Sequence, residues 1–373
     1  MISSVALLQL GFLGLLAAGI PLLWVWVKGD ADKYRKLVWI TTFVTFDLII
    51  FGAFTRLTDS GLGCPDWPGC YGHSNPIAAG EMIRAAEAAM PSGPVTMQKA
   101  WIEMLHRYIA MGVGVLILTL MGLAWARQAE FKRSPWPATV LFVLVCVQGA
   151  FGAWTVTLKL MPVIVTIHLL LGVLLLCMLG TLAAQANPVP INAAAIARLR
   201  GPVLSALLVV FVQIALGGWV STNYAVLACQ DFPLCNGALV PEADFARGFD
   251  LTRPLGLNDD GSLLPVQALV AIHWGHRVFA LMVVAVLGWL GRVLLVAAGE
   301  SAYLRHTAWG LFALLGLQVA SGVSNVVFAW PLAVAVAHNG GAAALALLLA
   351  LLNSRLAAQQ RVVPAVFAAG ARA

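Results

Sequence analysis

The sequence predicts an all-α, polytopic transmembrane helical protein, built as a tandem parallel repeat of two four-helix bundles plus one extra N-terminal transmembrane helix. Three observations carry this: an apolar composition, nine apolar runs of bilayer length, and unusual residues that recur at a fixed spacing. With 61% hydrophobic and 10% charged residues among 373, and a mean hydropathy of +0.90, the chain is too apolar for a water-soluble domain of its length. The net charge of +6 comes from basic residues scattered over short loops between apolar runs. With no basic, aromatic-interleaved surface to track phosphates, nucleic acid is excluded as a partner and membrane lipid is the expected surrounding.

A bilayer core takes about 20 apolar residues per helix. The runs fall at roughly 5–27, 37–56, 99–126, 137–157, 163–184, 202–223, 266–291, 308–329 and 332–352. No basic segment precedes the first run, and Lys28, Lys33, Arg35 and Lys36 follow it, so residues 1–30 read as a retained helix rather than a signal peptide. Lys and Arg concentrate on the inner side of a membrane protein. Threading the runs alternately places fourteen of the 22 basic residues on one side and five on the other, whose loops are much longer. The expected topology has the N-terminus outside, the C-terminus inside, and the long loops near 57–98 and 224–265 outside.

The second half of the chain then lies over the first. His106-Arg107 matches His276-Arg277, Gln148 matches Gln318, Gly152 matches Gly322 and His168 matches His338, all at an offset of 170. Upstream the offset is 165, where Cys64, Asp66, Pro68, Cys70 and Gly72 match Cys229, Asp231, Pro233, Cys235 and Gly237. Each copy holds four spans, an even number, so the copies run in the same direction. The expected divisions are an additional helix at 1–30, bundles at 37–184 and 202–352, and a cytoplasmic tail at 353–373.

Ionisable residues inside apolar spans are costly and mark function by default. Five of seven histidines lie there: His106, His168, His273, His276 and His338. A lone one reads equally well as a core histidine bonded to a carbonyl, but four at matched positions do not. At a rise of about 1.5 Å per residue, His106 and His168 both sit roughly 10 Å below the outer surface and can face one another. His276 and His338 repeat the arrangement. Opposed neutral imidazoles on neighbouring helices suit a haem iron with two axial ligands. Gly112, Gly114, Gly172, Gly340 and Gly341 are expected to let a flat macrocycle approach the backbone, although helix packing also selects glycine. Zinc is disfavoured because the second copy offers no acidic or cysteine third ligand.

The run Thr55-Arg56-Leu57-Thr58-Asp59-Ser60-Gly61-Leu62-Gly63-Cys64-Pro65-Asp66-Trp67-Pro68-Gly69-Cys70, followed by Glu103-x-x-His106-Arg107 and the later histidine-bearing helices, resembles the haem A synthase family. The resemblance spans about 37–352. It implies oxidation of the C8 methyl of haem O, the substrate, to the formyl group of haem A by successive hydroxylations with water as oxygen source. It also implies haem b as cofactor, a place in the bacterial inner membrane with the N-terminus periplasmic, and contact with haem O synthase and terminal oxidase assembly factors. Family members typically have eight spans, so the first run is a departure that touches no motif position.

Where the copies disagree, function is expected to differ. Glu103 is replaced by His273 at the 170 offset, each three residues before its candidate ligand and so on the same helix face. A carboxylate beside a porphyrin edge can take protons or stabilise positive charge, which makes Glu103 the candidate catalytic residue and His106 and His168 the ligands of the substrate haem. The alternative for Glu103 is pairing with Arg107 or Lys99. His276 and His338 then hold haem b, while His273 is not expected to be a ligand. Arg107 and Arg277 are within reach of haem propionates or of the outer headgroups. Cys64 with Cys70 and Cys229 with Cys235 each close a short loop on the oxidising side, so two disulfides are expected, the first with a part in the reaction implied by the resemblance. Two other readings stay open: a bis-histidine cytochrome b that only carries electrons, and a haem transporter or chaperone.

Overall fold

A computed structural model of the chain describes residues 4–27, 32–131, 134–184, 193–258 and 260–360. The described residues form helices joined by turns and loops, in the order α1 (Ser4–Val27), α2 (Lys33–Leu57), α3 (Gly80–Ala89), α4 (Met97–Ala126), α5 (Gln128–Phe131), α6 (Trp136–Thr157), α7 (Pro162–Ala184), α8 (Ala193–Thr222), α9 (Phe245–Gly248), α10 (Val266–Ala298), α11 (Ala302–Val327) and α12 (Leu332–Gln360). Nine of these are long and apolar enough to cross a membrane: α1, α2, α4, α6, α7, α8, α10, α11 and α12. They coincide with the nine runs. Several extend beyond the runs, as α10 does to Ala298 and α12 to Gln360. The apolar run measures hydrocarbon thickness, whereas helical hydrogen bonding continues into the headgroup layer. The first eight residues of the expected tail therefore continue α12, and 361–373 lie outside the described residues.

Several threonine hydroxyls inside the spans are satisfied by their own helix, as the lipid phase favours. The hydroxyls of Thr41, Thr42, Thr45 and Thr55 each donate to the carbonyl four residues earlier, at 2.7–2.9 Å. Two helix starts that matter for the site are capped by side chains: Asp32 accepts from the Arg35 N–H at 2.9 Å and Thr96 from the Lys99 N–H at 3.2 Å. Large apolar side chains such as Leu8, Ile20, Phe43, Leu281 and Val296 are exposed, as expected when lipid is the solvent.

The chain divides into two compact units. One comprises Met1–Leu175 with Ser221–Asn223 and Asp250–Leu264; the other comprises Leu176–Val220, Tyr224–Phe249 and Pro265–Ala373. In the first unit α1 packs against α4 and α2, and α4 against α2 and α6. The α1–α4 approach is close: a Cβ on Gly14 would lie 2.9 Å from Met111 Cβ, and one on Gly112 would lie 2.9 Å from Ala17 Cβ. Gly112 thus serves the packing of the additional helix. At the outer end Gln9 of α1 accepts from the Ser74 hydroxyl at 2.6 Å, and Tyr108 of α4 donates to the Ser74 carbonyl at 2.7 Å. In the second unit α10 packs against α9 and α11, and α11 against α12.

Candidate functional site

Capping by Thr96 fixes the outer end of α4, and Glu103, His106 and Arg107 follow within its first turns. His106 lies close enough to His168 of α7 to interact electrostatically, and His276 of α10 is placed likewise with respect to His338 of α12. The four imidazoles thus form two pairs, one in each unit. Each ring edge rests on a glycine of a neighbouring span. A Cβ added to Gly52 would lie 3.0 Å from His106 Nε2, and one on Gly152 would lie 3.2 Å from His168 Cε1. In the second unit the distances are 3.0 Å from Gly217 to His276 Cε1 and 3.4 Å from Gly322 to His338 Cε1. Gly52 and Gly217 are themselves 165 apart. A larger residue at Gly52, Gly152 or Gly217 would press on an imidazole, whereas a Cβ at Gly322 would make an ordinary van der Waals contact. Of the glycines picked from sequence, Gly112 meets α1, Gly172 and Gly341 lie against the Gln148 and Gln318 side chains, and a Cβ on Gly114 would meet nothing within 4 Å.

The main chain of two of these histidines is held identically. Gln148 donates to the His168 carbonyl at 2.9 Å, and Gln318 to the His338 carbonyl at 3.0 Å. Each amide bridges two helices next to a candidate ligand, the inter-helix role expected for both. The donor set fits haem better than a bare metal ion. Two imidazoles per unit leave a macrocycle to supply the remaining ligands, and among the described residues no group of three or more His, Cys, Asp or Glu could hold a metal.

Glu103 is 4% exposed and is turned to the outer loop. Its Oε2 accepts from the Cys64 backbone N–H at 2.8 Å, and its Oε1 pairs with Arg107 Nη2. Arg107 Nη1 donates in turn to the carbonyls of Asp66, Pro68 and Gly69 at 3.0, 3.2 and 2.6 Å. The matched residues of the second copy take the same parts. His273 Nδ1 lies 3.3 Å from the Cys229 N–H and its Nε2 lies 3.1 Å from Arg277 Nε. A neutral imidazole has one acceptor nitrogen, so only one of these contacts is a hydrogen bond at a time. Arg277 donates to the carbonyls of Asp231, Leu234 and Cys229 at 2.8–3.0 Å. Both arginines are therefore engaged with loop carbonyls.

The loops that they grip are disulfide-closed: Cys64–Cys70 and Cys229–Cys235, with Cα atoms 4.9 and 4.6 Å apart. Asp66 accepts from the N–H groups of Tyr71 and Gly72 at 2.5 and 2.7 Å, and Asp231 accepts from Asn236 and Gly237 at 2.5 and 2.9 Å. Tyr71 and Asn236 hold positive φ, a turn that these carboxylates stabilise. The Gly237 N–H leads the causes that keep the Asp231 carboxyl below its usual range. The first disulfide is buried with Leu10, Ile83, Ala100 and Met104, which ties it to α1, α3 and α4. The second packs with Val270 and Trp274 of α10.

Sequence reasoning found the histidines, Glu103 and the cysteines. It missed Gly52 and Gly217, which the 165 offset would have revealed, and Ser321 and Gln213, which have no matched polar partner in the first copy. Ser321 Oγ lies 2.8 Å from His338 Nδ1, and Gln213 Nε2 lies 3.2 Å from His276 Nδ1.

The pattern of a family described as COX15-CtaA, cytochrome oxidase assembly protein, matches residues 35–351. A protein of Shewanella oneidensis named heme A synthase is 40% identical over 323 residues, covering 85% of this chain and 96% of its own. Proteins with the same name from Caulobacter sp. and Bradyrhizobium diazoefficiens are each 29% identical, covering 84% and 91% of this chain and 94% and 98% of their own. Nine membrane-length helices, two pairs of intramembrane imidazoles and a match over most of the sequence converge: the chain belongs to the COX15-CtaA family of cytochrome oxidase assembly proteins.

Proposed function

We propose that the chain is a haem A synthase, an oxidoreductase of the bacterial inner membrane that converts the C8 methyl of haem O to the formyl group of haem A. The observation that supports this best is the pairing of four glycine-seated imidazoles with a single unmatched carboxylate, Glu103, in the first unit only. His106 and His168 hold the substrate haem there. His276 and His338 hold haem b, which when bound supplies a one-electron exit. Each hydroxylation takes oxygen from water and releases two electrons and two protons, so the site needs a proton acceptor as well as that exit. Glu103 meets the first need: its carboxylate sits one turn nearer the outer surface than His106, in a setting where water is scarce. Arg107 holds the carboxylate oriented, and the same guanidinium keeps the Cys64–Cys70 loop across it. The N-terminus faces the periplasm, the C-terminus the cytoplasm, and haem O synthase and oxidase assembly factors are the partners.

Haem extraction from purified protein tests this. Wild type is expected to carry haem b together with haem O, a hydroxylated intermediate or haem A. Glu103→Ala is expected to retain haem b and yield no haem A. Haem b alone in both preparations would favour the electron carrier; unchanged haem O added to active membranes would favour a transporter.

A further inference from the structure

The two units differ in what holds the imidazole rings. In the second unit Ser321 Oγ lies 2.8 Å from His338 Nδ1 and 2.6 Å from the Leu317 carbonyl, one turn back on α11. A hydroxyl has one hydrogen and a carbonyl can only accept. With that hydrogen given to Leu317, the contact at Nδ1 is an N–H donated to Ser321. The ring is then fixed as the Nδ1–H tautomer, and Nε2 alone is left with a lone pair for a metal. In the first unit the position 170 residues earlier is Phe151, which neither donates nor accepts. His168 Nδ1 is buried with no hydrogen-bond partner among the described residues. Gln213 places its amide beside the His276 ring, and the position 165 earlier is Leu48. The backbone restraints on His168 and His338 from Gln148 and Gln318 are alike, so for this matched pair the difference lies at the rings.

We propose that Ser321 is a positioning residue that locks His338 as a permanent haem ligand, and that Phe151 leaves His168 unlocked so that the first unit can take up substrate and release product. This rests on the reading that His276 and His338 hold haem b. A hydrogen-bond acceptor behind a metal-bound imidazole orients the ring and raises its basicity, and its loss typically costs 10–100-fold in metal affinity. A site that must let go of its macrocycle every turnover gains by lacking one.

The test uses the purified full-length protein with its haems. For Ser321→Ala, haem b transfer to an excess of apomyoglobin should be at least about tenfold faster than in wild type. Its midpoint potential should rise, because a less basic imidazole stabilises ferric iron less. Ser321→Thr keeps the hydroxyl and should restore both. In the reverse direction, Phe151→Ser should give His168 the missing acceptor and slow the transfer of first-unit haem by a similar factor. Ser321→Ala with wild-type transfer rate and potential would overturn the proposal, as would a Thr variant that behaves like Ala. Transfer and potential are read without turnover, so a protein that makes no haem A would sink the functional reading while leaving this result interpretable.

Discussion

At the scale of single residues, Glu103 and His273 change what the repeat means. Both receive the N–H of the first loop cysteine and both meet the arginine four residues on. The shared task is structural, and the carboxylate is what the first unit adds to it. A carboxylate can exchange a proton with a reacting centre while still accepting from Cys64, whereas the His273 ring is engaged through whichever nitrogen accepts. Glu103→His would therefore keep a loop anchor of the kind that the second unit already uses, and remove the carboxylate. The expected outcome is a folded protein with the Cys64–Cys70 disulfide intact, haem b retained, and haem A formation reduced by at least about a hundredfold, the lower end of the range for loss of one acid–base group. Peptide mapping without reduction and haem chromatography check both halves; haem A formation near the wild-type rate would remove Glu103 from the chemistry.

At the scale of elements, much was legible because the lipid environment imposes simple rules. Nine spans follow from run length, and the helices that carry the paired imidazoles follow from histidines that recur 170 residues apart. What stayed hidden was of two kinds. The short helices α3 and α9 lie in polar outer loops, where no apolar run marks them. The glycine seats were hidden by abundance, since 35 glycines and the general taste of membrane helices for small residues give no reason to choose Gly52 over Gly114. The directions of Arg107 and Arg277 were also invisible, because a long flexible side chain three bonds from the helix can reach headgroup, cofactor or loop. The seats lead to a prediction. Gly217→Val should drive γ-carbons into the His276 ring and cost about 1–3 kcal/mol through overpacking, with loss of haem b absorbance. Gly52→Val should do the same to His106, removing product while haem b stays. Gly114→Val, where an added Cβ meets nothing within 4 Å, serves as the control and should leave both haem content and product unchanged.

At the scale of the whole molecule, duplication supplies two similar frames and the chemistry needs them to be unlike. On the proposed reaction an electron leaving an oxidised methyl needs an acceptor other than the substrate, and the imidazole pair of the second unit is the place proposed for it. The first unit carries the carboxylate, the additional helix against α4 and a His168 ring without a partner; the second carries Ser321 and Gln213 on its rings. These differences predict an unequal pattern of losses from four equivalent substitutions. His106→Ala and His168→Ala should abolish haem A formation and leave the haem b spectrum near wild type. His276→Ala and His338→Ala should lose the haem b spectrum and haem A formation together, because the methyl cannot be oxidised without an electron exit. Pyridine haemochrome spectra and haem extraction on the same four preparations decide the matter. A pure electron carrier would lose one haem of the same type in every case, and equal losses across all four would mean that the two units had kept the equivalence with which duplication began.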